Sequence, residues 1–96
     1  MTQYKRGERI AIRCEVQPGA FPGEYLVTVT TAAGPVSGFA RESDLMMNGS
    51  TSLLGIVQSV TPDMLEVWLR GSFFTTNGLA ELKKDWARDN VTRVAA

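Results

Sequence analysis

The chain has 96 residues, 44% of them hydrophobic, and its ten Lys and Arg balance its ten Asp and Glu. That composition fits one compact domain over residues 1–96, and zero net charge excludes an overall field drawing the chain onto nucleic acid or an anionic membrane. No apolar run approaches the roughly 20 residues a membrane-spanning helix needs. The lone Cys14 cannot form an internal disulfide, and MTQYKRGERI lacks an apolar run of signal-peptide length, so a reducing, cytoplasmic setting is expected.

In residues 9–16, Ile10, Ile12, Cys14 and Val16 alternate with Arg9, Ala11, Arg13 and Glu15, the period-two pattern of a half-buried strand. QPGAFPG then forces a loop. EYLVTVTT reads as a strand with Tyr25, Val27 and Val29 on one face and Leu26, Thr28 and Thr30 on the other. AAGP turns the chain, and Pro35 can open the returning strand because a first residue need not donate to the ladder. Residues 24–40 are thus expected to form a hairpin.

MMNGSTS is a second break, where Asn48-Gly49 readily takes positive φ in a tight turn. LLGIVQSV and MLEVWL then make a second hairpin about TPD, with Leu65, Val67 and Leu69 opposite Met64, Glu66 and Trp68. Further on, Leu79, Leu82 and Trp86 fall within a narrow arc at about 100° per residue. That arc predicts an amphipathic helix over about residues 77–89, capped by Asn77 or Gly78 and stopped near Asp89-Asn90. The expected fold is mainly β with one C-terminal α-helix: a five-stranded SH3-like barrel or a strongly bent antiparallel sheet.

Gly7 ahead of Ile10 and Ile12, Tyr25 ahead of Val27, Gly34, and Gly38-Phe39-Ala40 followed by Leu45 together resemble bacterial SH3-like domains. The resemblance covers residues 7–45 and implies a small barrel with a peptide- or cell-wall-binding role, Tyr25 and Phe39 standing at motif positions. The family's opening segment is absent before Gly7, and the two later strands would take its place.

The chain contains no histidine, so the commonest general base and metal ligand are missing; no cofactor or metal site is read from the sequence. Cys14 shares the apolar phase of Ile10 and Ile12 and reads as structural. The Glu42 and Asp44 pair reads as a solvated cap. Seven of the ten basic residues are arginines, yet Arg9, Arg13, Arg41 and Arg70 each have a carboxylate nearby in Glu8, Glu15, Glu42 and Glu66, which describes a mixed-charge surface rather than a phosphate-binding one.

The strongest interaction signal is aromatic surface on the outward phase: Trp68 between Glu66 and Arg70, and Phe39 between Ser37 and Arg41. Phe39, Arg41, Trp68, Arg70 and Trp86 are therefore the candidate contact residues. Either the C-terminal helix folds back over these rings, or they are left for a partner protein or a second copy of the chain. The expected role is a non-enzymatic interaction module for a protein or peptide. The alternatives are a nucleic-acid-binding small barrel, and a ligand carrier or enzyme with a pocket lined by Glu42, Asp44 or Arg70.

Overall fold

The alternation in residues 9–16 continues around a corner. In the computed structural model, which describes residues 4–73 and 78–94, strand β1 (Arg9–Arg13) ends one residue before β2 (Glu15–Pro18) begins. The two strands belong to different sheets. Cys14 is the hinge, and its N–H donates to the Thr51 carbonyl at 3.1 Å. Ile10 and Ile12 are fully buried, while Cys14 and Val16 pack against the same core from its margin, so one apolar phase serves both sheets.

The expected hairpin is β3 (Glu24–Thr31) and β4 (Gly34–Arg41), closed by Ala32 and Ala33. A 3-10 turn over Glu42–Asp44 leads into β5 (Leu45–Asn48), which pairs back onto β6 (Ser50–Val60) through Gly49 at φ 82°. β7 (Met64–Leu69) follows the TPD turn, where the Thr61 N–H donates to the Met64 carbonyl at 3.0 Å. The remaining elements are β8 (Ser72–Phe73), β9 (Leu79–Lys83), α1 (Lys84–Asn90) and β10 (Val91–Arg93).

The strands form two antiparallel sheets. The first has the order β10-β1-β6-β7-β9 with β5 also on β6; the second has the order β2-β3-β4-β8. Leu53, Val57, Leu65, Val67 and Leu82 from the first sheet and Val27 and Val29 from the second are fully buried in one cluster. Besides Cys14, the sheets are joined where the Ala32 N–H at the β3–β4 tip donates to the Glu81 carbonyl of β9 at 2.8 Å.

Three expectations are corrected. Ten strands are present among the described residues in place of five, and they make two sheets with no closed barrel. The predicted helix over residues 77–89 is half strand: Leu79–Lys83 pairs with β7, and only Lys84–Asn90 is helical. The proposed cap Asn77 lies outside the described residues, and Gly78 precedes a strand instead. Spacing alone is ambiguous here, because Ala80 and Leu82 also alternate with Glu81 and Lys83. The open edge of β7 offers hydrogen bonds that decide the matter in favour of the strand. The third correction concerns cover: α1 buries Ala87 and packs Trp86 on the core, but leaves Trp68 49% and Phe39 40% exposed.

Gly38 is where the second sheet is tightest. A Cβ at this position would run into the Ser72 carbonyl and the Phe73 ring of β8. Gly38→Ala is expected to destabilise the fold by about 1–3 kcal/mol through overpacking, read as a lower midpoint in urea unfolding. A midpoint equal to the parent's would mean that β8 is not seated against β4.

Candidate interaction surface

On the outer side of the first sheet, the strand registers bring side chains from four elements into one row. Arg9 pairs with Ile56, Ile56 with Trp68, and Trp68 with Leu79. All four lie on the phase opposite the buried Ile10, Val57, Val67 and Ala80, so their side chains face away from the core. Ile56 and Leu79 are half-buried beside the 49% exposed Trp68, and Leu54, paired with Ala11, extends the apolar strip by one row.

The charges on this face are mixed: Lys83 stands two residues beyond Glu81 on the same phase of β9, and Arg70 follows β7 two residues beyond Trp68. Arg9 and Arg13 project from β1, whereas Glu66 and Glu81 stand directly opposite each other on β7 and β9. The Ser59 hydroxyl donates to Glu66 Oε1 at 3.3 Å. Among the described residues, Arg9, Arg13 and Glu81 have no ion-pair partner.

Two grooves flank the row. One, of about 550 Å³, runs between the β3–β4 tip (Thr31, Ala32, Ala33, Val36) and Glu66, Leu79, Ala80 and Glu81. The other, of about 320 Å³, is bordered by Ala11, Arg13, Met46, Ser52, Asp89 and Thr92 among others. Glu42, Asp44 and Arg70 line neither.

The candidate residues thus fall into separate places. Trp68 is central to the row. Phe39 faces outward from the second sheet, opposite Leu26 and next to the Thr28–Ser37 hydroxyl pair at 2.9 Å. Trp86 supports the core from α1. Arg41 and Arg70 meet at Asp44: its Oδ2 accepts the Arg41 N–H at 3.2 Å, and its Oδ1 accepts from the Arg70 guanidinium at 3.2 Å. Arg70 is therefore tethered, which leaves Arg9 as the untethered arginine in line with Trp68. Sequence reading missed Ile56 and Leu79, although the apolar outward phase Leu54 and Ile56 of LLGIVQSV was a visible signal.

Elsewhere, Arg93 lies over the Tyr4 ring at 5.1 Å and bonds Glu8. The Lys5 N–H donated to Glu8 is the main cause holding that carboxyl below its ordinary range, with Arg93 adding to it. Burial pushes the Cys14 thiol up to about 11, and its Sγ lies 3.7 Å from the Thr51 carbonyl. Among the described residues, no three His, Cys, Asp or Glu side chains gather as a metal site requires, and no helix is long and apolar enough to cross a membrane. Comparison with known proteins finds no match to a family model, a curated protein or a solved structure.

Two measurements check this geometry. Asp44→Ala is expected to cost about 1 kcal/mol, more than Arg70→Ala, because Asp44 serves a backbone N–H as well as an exposed ion pair; equal unfolding midpoints for the two variants would contradict this. Cys14 should alkylate at pH 8 about a hundredfold more slowly in the native protein than in urea, as a thiol held near 11 yields little thiolate. Equal rates in the two states would show the thiol to be open to water.

Proposed function

We propose that the protein is a non-enzymatic interaction module that binds a protein or peptide partner through the outer side of its first sheet. The observation carrying this reading is Trp68: half exposed, centred on a sheet face, with Ile56 and Leu79 to either side and charges at the margins. A large aromatic ring held rigidly on a sheet and ringed by polar groups has the anatomy of an interface anchor. The outer face of an isolated antiparallel sheet is ordinarily polar, so an apolar row there calls for an occupant.

The SH3-like resemblance of residues 7–45 supports a binding role in general terms, and on that reading Phe39 and Leu26 would form a second, smaller contact on the other sheet. The mixture of signs on this face, Arg9, Arg13 and Lys83 with Glu66 and Glu81, supports a mixed-charge partner over a polyanion, which such a face would bind poorly.

The test is selection of a displayed random-peptide library on the immobilised protein, with each binder re-measured against three variants. Trp68→Ser should weaken binding at least tenfold, because hot-spot aromatics contribute about 2 kcal/mol or more, while changing stability by less than about 1 kcal/mol at so exposed a site. Phe39→Ser should leave binding intact. Trp86→Ala should instead lower stability, by about 2 kcal/mol, through loss of core packing. Binders lost in Phe39→Ser and kept in Trp68→Ser would move the site to the second sheet.

A further inference from the structure

We infer that the smaller of the two grooves is a binding site for a small zwitterion of the α-amino-acid type, separate from the Trp68 row and independent of the reading given to it. The groove, of about 320 Å³, lies at the end of the first sheet where β1 turns toward β2. Its base follows from the strand registers. Arg13 pairs with Ser52 and Ser52 with Met46, so three residues on the outward phase cross β1, β6 and β5 in one row. One row along, about 7 Å away, Ala11 pairs with Thr92. Ala11 has the phase opposite Ile10 and Ile12 and is yet only 2% exposed, so its methyl group is the floor of a depression with larger side chains around it. The end of α1 supplies the remaining wall. The helix stops at Asn90, one residue before Val91 pairs with Ile12, which brings Asp89 to the Arg13 end of β1.

The chemistry of the lining selects the ligand. It carries one charge of each sign, the Arg13 guanidinium and the Asp89 carboxylate, both on exposed residues. Among the described residues, these two form no ion pair with each other or with any other group. Opposite charges that border one groove and stay apart leave room for a ligand that carries both signs. A guanidinium holds a carboxylate through two parallel N–H donors, and the Ser52 hydroxyl beside Arg13 has no hydrogen-bond partner among the described residues to compete for it. Asp89, in the last turn of α1 where the helix carbonyls favour a cation, takes the ammonium group. A simple anion would lie against Asp89, and a simple cation against Arg13.

Size and polarity narrow the class further. About 320 Å³ is the lower end of the range for ligand sites, which fits a free amino acid rather than a cofactor. The half-buried Met46 at the far end of the Arg13 row gives an apolar side chain a wall to rest on. With both charge pairs open to water, the dissociation constant is of millimolar order.

The experiment is titration of the isotope-labelled protein at neutral pH with L-leucine up to about 50 mM, following the backbone amide resonances by NMR. Two fragments of the probe are titrated beside it: 4-methylpentanoate, which lacks the ammonium group, and 3-methylbutylamine, which lacks the carboxylate. Leucine is expected to give saturable shifts at Arg13, Ser52, Asp89 and Thr92, and each fragment should bind about tenfold more weakly or worse. Arg13→Gln and Asp89→Asn, each shown by circular dichroism to be folded, should weaken leucine to a similar degree. The two variants should part on the fragments: Asp89→Asn leaves 4-methylpentanoate no weaker, and Arg13→Gln leaves 3-methylbutylamine no weaker. Leucine without saturable shifts at these residues, a fragment that binds as tightly as leucine, or undiminished leucine binding in either variant overturns the inference.

Discussion

Strand β6 is the constraint on which the rest of the structure depends. Its 11 residues pair with β1 along one edge and with both β5 and β7 along the other, so it alone joins the two halves of the first sheet. Because side chains alternate with a period of two, its register decides at once which residues are buried and which are displayed. Leu53, Gly55 and Val57 face the core; Leu54 and Ile56 face out. A slip of one residue would carry Ile56 inward and place Val57 in water, exchanging the core for the surface. The shift in pairing between Val57 and Ser59 absorbs one extra residue where the hairpin to β7 begins, and it keeps Trp68 beside Ile56 on the outside.

The second dependency is the hinge at Cys14. A single apolar phase, Ile10, Ile12, Cys14 and Val16, starts in one sheet and ends in the other, so the chain bends around its own core without interrupting its burial. The helix completes the arrangement from the far end of the chain. It joins β9 and β10, the two edges of the first sheet, and buries Ala87 in the cluster to which both sheets contribute. Its end, at Asp89, borders the outer face of the first sheet beside Ala11 and Arg13, but the helix leaves Trp68 and Phe39 exposed. The outer face of the first sheet is the more apolar, and it holds the unpaired charges at its margins.

Much of this was legible in the sequence where one local rule was enough. The alternations around Val27 and Leu65 assigned their strands and faces, that around Ile10 found the buried Ile10 and Ile12 though Ala11 between them is buried as well, and Asn48-Gly49 marked a real turn. What was not legible depended on contacts between distant segments. Residues 79–83 satisfy both a helical and a strand spacing, and only the vacant edge of β7 decides between them. The division of residues 9–16 between two sheets leaves no mark on an alternation that never breaks. The candidate surface was half visible: Trp68 was found from its phase, but its row with Arg9, Ile56 and Leu79 exists only through three pairings that span the chain. For the same reason, Phe39 and Trp68 look equivalent in the sequence and yet face outward from different sheets.

The candidate surface stands or falls on that row, and nuclear Overhauser contacts between backbone protons across the strands test it most directly. It predicts cross-strand contacts linking Arg9 with Ile56, Ile56 with Trp68, and Trp68 with Leu79, together with strand-type sequential contacts through Leu79–Lys83. Helical contacts running from residue 79 into α1, or an Ile56 that pairs out of line with Trp68, would contradict it.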